Sequence, residues 1–447
     1  MRTPSLSRPD ARLAGGMLCA AGFALLFARD RFAPALGIEL LAAAFWWWAR
    51  ATEEPAVHVP RWAWLRRPAT ALWLAAAIET VLPAPGGAFA APPATLEFCW
   101  RLEAVLVVWA ALELLAALPL TRPYSDLPGP LVERGFWLPA LLPSAGFLLL
   151  WRQAPIWLDV DVVRDVAALL LLLTATLAAL RAFGRRRWTA GLRWLVVWDG
   201  ALAGVLLASR AIPAPIVALL WAGACGTHTY LLVAELGGAT PRRGPVMATL
   251  WRATAWTTST ALAWPLLIWA GGAGPHRGLI VLALGGASMA LAAWVDVARM
   301  PEAPERRTIA RPGSGLALGR IAPAFVLAGV PLAFASAWWL GYAADWRLSL
   351  LALVPALLGG GTALLTFRST ARAEPGPWAR AGQWARRAAR RFFRMVVGLE
   401  RALVAGAGRL LLALATPLRD LHTGDAQEYV LFLAGVAVLA ALLPLLR

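Results

Sequence analysis

The sequence contains no lysine: all 42 basic side chains are arginine, set against 25 acidic ones for a formal net charge of +17. No side-chain ammonium is therefore present to form a Schiff base or to release a proton, because arginine stays protonated at any working pH. Charge of either sign is scarce, at 15% of residues against the roughly 25% of soluble domains. Cysteine is scarce too. Cys19, Cys99 and Cys225 stand singly in apolar stretches, with no CxxC spacing and no neighbouring histidine. That pattern excludes a disulfide framework and a cysteine metal site, and it reads as three small buried hydrophobes. No P-loop, no GxGxxG opening a helix after a strand, no HExxH, no GxSxG and no loop of domain size is found. The sequence gives no catalytic set, no metal site and no cofactor.

What is abundant is apolar sequence. Hydrophobic residues make up 60% of the chain and the mean hydropathy is +0.63. Apolar runs long enough for a hydrocarbon core of about 30 Å recur from end to end. They predict an all-α, polytopic transmembrane helix bundle of about 13 spans (roughly 12 to 14). The runs fall at 12–28, 32–49, 64–83, 98–120, 132–151, 160–182, 189–208, 212–236, 248–272, 277–298, 320–342, 347–367 and 428–446. Pro213, Pro215, Pro265 and Pro355 mark kinks or locally broken helix. The first segment has the basic lead of a signal peptide but no small-residue cleavage site, and is expected to stay as a helix. Three regions follow: a bundle of about 12 helices over 1–370, a basic amphipathic region over 371–419 and a last span within 420–447.

A sequence pI of 11.4 would point to nucleic acid in a soluble protein, since clustered cations displace counterions from phosphate. Here the arginines flank apolar spans, where they meet anionic lipid headgroups and set orientation, so lipid and not nucleic acid is the expected partner. They also alternate. Arg61, Arg66, Arg67, Arg122, Arg134, Arg181, Arg185, Arg186, Arg187, Arg242, Arg243, Arg306, Arg307 and the stretch 368–419 fall on one side, and few arginines fall on the other. That asymmetry places the amino terminus in the cytoplasm and the chain in a cell inner membrane. Within 377–417, Arg386, Arg387, Arg390, Arg391 and Arg394 recur at helical spacing beside Trp384, Phe392, Met395 and Val396. This predicts a helix lying along the membrane, its arginines toward lipid phosphates or a partner, with a basic juxtamembrane linker as the alternative over 371–391 and 398–417 apolar enough to lie laterally or to cross.

Ionisable groups inside a bilayer are costly, so those retained are candidates for proton or ion relay. Glu39, Glu79, Glu113 and Asp199 lie well inside their spans, each either a relay group or a protonated or arginine-paired structural carboxyl at a helix interface. His228 lies in GACGTHTYLLVAEL, seven residues before Glu235 and on the same helix face. A lone intramembrane histidine can shuttle protons near neutrality, or can be a core residue hydrogen-bonded to a neighbouring threonine or carbonyl. The other histidines, His58, His276 and His422, fall in loops, which argues against a haem held by two histidines.

The carboxyl end, LRDLHTGDAQEYVLFLAGVAVLAALLPLLR, resembles the end of the antiporter-like membrane subunits of NADH:quinone oxidoreductase (complex I), membrane-bound hydrogenases and related cation/proton antiporters. There a lateral helix is followed by a polar turn and a final span, places that 377–417, Gly424 and Tyr429 would take. RRRWTAGLRWLVVWDG and THTYLLVAELGG are similar to that family's basic loop with its following span and to its histidine-containing helix. The repeated ELLAA at Glu39 and Glu113 resembles a small complex I subunit with two intramembrane glutamates. The resemblance implies a subunit of a multisubunit membrane complex coupling redox or ion gradients to proton or cation movement, either conducting or a non-conducting scaffold. The family's channel lysines have no counterpart here. The alternatives are a purely structural membrane subunit and a polytopic lipid-modifying enzyme; such enzymes place catalytic polar residues in loops, and these loops are mainly arginine, alanine and proline.

The arginine alternation makes a direct prediction. Reporters fused after Arg187 or Arg307 will read cytoplasmic, and reporters after Ala90 or Gly274 will read external. The same side for both sets would overturn the span assignment.

Overall fold

The computed structural model describes residues 8–27, 31–51, 66–81, 93–117, 138–185, 188–236, 260, 262–270, 275–298, 346–370 and 377–420. Among them there are helices and short turns and no strand. The runs predicted at 320–342 and 428–446, most of 248–272, and both Gly424 and Tyr429 lie outside the described residues.

Eleven longer helices are described: α1 (Arg8–Phe27), α2 (Phe32–Ala51), α3 (Arg66–Val81), α4 (Pro93–Leu114), α5 (Leu138–Arg152), α6 (Asp161–Gly184), α7 (Trp188–Ser209), α8 (Ala214–Leu236), α9 (Pro275–Ala298), α10 (Trp346–Thr370) and α11 (Pro377–Asp420). Alanine and leucine dominate them, and both are strong helix formers. Three apolar stretches are long enough to cross a membrane: Asp161–Gly184, Gly191–Ser209 and Gly278–Asp296. Shorter apolar helical stretches lie at Gly16–Leu25, Phe32–Ala44, Leu141–Arg152 and Leu351–Ala363. Large apolar side chains also point outward, among them Val162 and Val166 on α6, Leu279 and Ile280 on α9, and Leu351, Leu357 and Leu358 on α10. Outer faces of that kind suit lipid as the surrounding solvent.

The helix order follows the chain, with α1 on α2, α2 on α3, α3 on α4 and α4 on α5. Ion pairs fix the directions. Arg31, at the start of α2, reaches Glu79 near the end of α3 and Glu103 midway along α4. Arg67 at the start of α3 faces Glu113 at the end of α4. The pairs therefore set α2, α3 and α4 antiparallel in turn. α4 closes with Ala116 at a φ of 53°, its N–H bonding back to the Glu113 carbonyl and that of Ala117 to Leu112. This is the left-handed helix cap that glycine usually fills.

α7 is the central helix. It touches α5, α6, α8 and α9, and its apolar stretch is almost wholly enclosed. Two glycines one turn apart allow this: a side chain at Gly200 would meet Leu115, and one at Gly204 would meet Leu171 and Leu150. Small residues at this spacing permit close helix approach where no water drives association. Between α9 and α10 the same device recurs, with Gly359 against the backbone of Ala290. Of the cysteines expected to be buried, Cys225 is buried, Cys99 is half-buried and Cys19 faces outward. Single apolar sequence cannot distinguish a core-facing from a lipid-facing position.

α11 lies across the helix ends, packing on α6 and α10. Its Arg390 donates to the Gly184 carbonyl at 3.0 Å, capping the negative end of α6. Arg386 stacks over Trp294 of α9, 5.5 Å from the ring centre. Arg181 is held between two rings, at 4.2 Å from Trp194 of α7 and 3.9 Å from Phe393 of α11. Burial of Arg386, with the like charge of Arg390 beside it, lowers its pKa from the ordinary arginine value.

Candidate functional site

Where α7, α8 and α9 meet, three buried ionisable side chains form one array. Asp199, midway along α7, places Oδ2 2.6 Å from Nδ1 of His228 on α8. The other ring nitrogen, Nε2, lies 3.4 Å from Oδ1 of Asp296, near the end of α9. The side chains of Asp199, His228 and Asp296 are all 0% exposed. The enclosure follows from the sequence around them. Asp199 is followed by Gly200 and flanked by the buried Trp198 and Ala201, so the helix that carries it can be surrounded on every side. His228 is preceded by Thr227, whose hydroxyl donates to the Gly223 carbonyl at 2.7 Å.

The chemistry of the array follows from counting protons. A neutral imidazole has one N–H and one bare nitrogen, whereas each carboxylate offers only acceptors. A ring with a carboxylate at each nitrogen must therefore either hold two protons itself or accept one from a carboxyl. With two protons shared among the three groups the array keeps one negative charge, and a third brings it to zero. Because the ring is common to both contacts, a proton on one side changes the bonding on the other. Asp199 Oδ1 is enclosed without a hydrogen-bond partner among the described residues. One turn away on α8, Cys225 Sγ lies 3.4 Å from the Ser144 hydroxyl of α5 and 3.8 Å from that of Thr229, a second polar contact across the same helix layer.

The other carboxyls are arranged differently. Glu79 and Glu103 both face Arg31, the first at 2.7 Å and the second at 2.5 Å. Glu113 faces Arg67 at 3.7 Å. A permanently charged guanidinium makes these fixed pairs that tie neighbouring helices together. Among the described residues, the ion pair of Asp199 runs to His228 alone. Glu39 is half-buried on α2 and joins none of these clusters. Glu235 falls in the last turn of α8, and its side chain lies outside the described residues. Among the described residues no group of three His, Cys, Asp or Glu side chains is placed to hold a metal ion.

Asp199 and His228 were both legible as intramembrane ionisable groups, but their contact was not. Asp296, Glu103, Arg31 and Arg67 were missed. Each sits near the end of its apolar run, where a charge costs little and reads as a flank. Asp296 nonetheless had a signal: WVDVA leaves it two residues inside the end of α9 with apolar neighbours on both sides. The structure also divides the arginines of α11. Arg386 and Arg390 turn onto Trp294 and Gly184, whereas Arg387, Arg391 and Arg394 remain exposed. No family model matches this sequence, and no curated protein matches it either.

Breaking one partner of a buried charged array leaves the others uncompensated, at a cost of roughly 3–5 kcal/mol. H228Q will therefore lower the unfolding temperature in detergent most. D199N will follow, and D296N least, since its 3.4 Å contact is the weaker. The triple D199N/H228Q/D296N variant will lose less than the three singles summed, because they share one interaction. Additive losses by calorimetry would show that the three groups do not act together.

Proposed function

We propose that this chain is a multi-pass inner-membrane protein of about thirteen spans, amino terminus in the cytoplasm, that carries protons through the Asp199–His228–Asp296 array. In this reading it is a divergent antiporter-like subunit of a complex that couples a redox reaction or an ion gradient to proton movement. One observation carries the reading: a histidine with a carboxylate at each ring nitrogen, enclosed between three helices and built only from groups that exchange protons readily. The arginine-paired glutamates are the contrasting case, because their partner cannot give its proton away.

The absence of lysine sharpens this. A proton path through a bilayer needs side chains that gain and lose protons readily, and a group that alternates between cationic and neutral beside carboxylates lets a proton pass without building up charge. Histidine is the residue left that can do so, and His228 is the histidine enclosed with carboxylates. Asp296, close to the end of α9, and Asp199, midway along α7, give the ring one neighbour toward the α11 side and one toward the interior. A proton taken at Asp296 passes to Nε2 while Nδ1 releases one to Asp199, and rotation or exchange resets the ring. The end of α6, with Arg181, and the start of α7 lie beside α11, which supports a cytoplasmic position for that helix.

Proton flux tests the proposal. The protein purified in mild detergent with whatever subunits accompany it, and reconstituted in vesicles with an entrapped pH dye, will lose at least tenfold in flux with D199N or H228Q. E113Q, which alters a fixed arginine pair, will keep most of it. Wild-type flux in both D199N and H228Q complexes would overturn the relay and leave a scaffold.

A further inference from the structure

Helix α11 runs without a break for 44 residues, about 66 Å at 1.5 Å per residue. Its side chains divide it lengthwise into three strips. The first faces the protein and contains Ala385, Arg386, Ala389, Arg390 and Phe393, all buried or half-buried. The second is apolar and exposed: Trp384, Phe392, Met395, Leu399 and Leu403 are 72%, 46%, 63%, 61% and 60% exposed. These five fall three, four or eight residues apart, the spacing of one helix face. The third strip carries the exposed Arg387, Arg391, Arg394, Arg401 and Arg409. Nine arginines stand on the whole helix against Glu400 and Asp420.

An apolar strip of this length in contact with water has a large hydration cost, at about 25 cal/mol for each Å². Packing on α6 and α10 does not cover it. The neighbouring α10 likewise exposes Leu351, Val354, Leu357 and Leu358. The arginine strip runs alongside over the same residues. Apolar and cationic strips side by side along one helix match the boundary of a bilayer, where acyl chains meet phosphates.

We infer that α11 lies in the membrane interface, with Trp384, Phe392, Met395, Leu399 and Leu403 among acyl chains and Arg387, Arg391, Arg394, Arg401 and Arg409 holding the headgroups of anionic lipids. The occupant is the anionic bilayer surface, because it supplies both phosphate and hydrocarbon along the whole length of the helix. Arg386 and Arg390 take no part, being engaged by Trp294 and Gly184. The inference rests on the bundle being membrane-embedded and is independent of proton transport.

The test uses the full chain with Cys19 and Cys99 replaced by alanine and one fluorescent label per variant, at M395C, L399C, R387C, R394C or, on the bundle, L357C. The proteins are reconstituted in phosphatidylcholine vesicles with or without phosphatidylglycerol. Nitroxides on the acyl chains will quench labels at 395 and 399, and acrylamide in the water will quench those at 387 and 394. Quenching at 395 by the acyl nitroxide will rise several-fold with phosphatidylglycerol, and R387Q/R391Q/R394Q will abolish that rise. Equal acrylamide quenching at all four α11 positions, no response to phosphatidylglycerol, or protection of 387 and 394 by a co-purified acidic protein would each overturn the inference. Loss of lipid quenching at 357 would instead contradict the membrane reading of the bundle.

Discussion

A charge enclosed in a low-dielectric interior must be matched by another, and the arrangement of this protein is largely the consequence of how it matches them. Arginine supplies every fixed positive charge, and each arginine in contact with an enclosed glutamate sits at a helix end: Arg31 at the start of α2 and Arg67 at the start of α3. These pairs set helix direction and spacing in the amino-terminal half. Deep between α7, α8 and α9 no arginine meets Asp199 among the described residues, and histidine takes that place. The difference in chemistry between guanidinium and imidazole, one permanently charged and one exchangeable, separates a structural pair from a relay.

The packing around that array explains why it can be enclosed. Gly200 follows Asp199 directly and Gly204 lies one turn on, so α4 and α6 approach α7 closely enough to exclude solvent. At the α11 side, Arg181 wedged between Trp194 and Phe393, and Arg386 over Trp294, tie α11 to the helices that carry Asp199 and Asp296. Cation–π contacts of this sort hold without demanding a carboxylate, which leaves the nearby acids to their own partners.

Much of this was legible in the sequence, for physical reasons. Apolar length and arginine flanks mark helices well, and the predicted runs at 160–182, 189–208 and 277–298 meet α6, α7 and α9 within a few residues. The amphipathic helix 377–417 meets α11 in the same way. Side-chain partnership was not legible. Nothing local to VVWDGAL or WVDVARM indicates that both aspartates converge on the histidine of GACGTHTYLL, since the three are joined only by the packing of helices distant in sequence. Glu79 and Glu113 read as relay candidates because a buried glutamate looks the same whether or not an arginine reaches it. The direction of Arg386 and Arg390 likewise depends on Trp294 and Gly184 being present on the far side of α11.

Selective labelling of the imidazole nitrogens of His228, read by solid-state NMR in lipid bilayers, tests the central claim most directly. The account predicts hydrogen bonding at both ring nitrogens and a response at both nitrogens when either Asp199 or Asp296 is changed to asparagine. A ring whose Nε2 resonance is indifferent to D296N would contradict it.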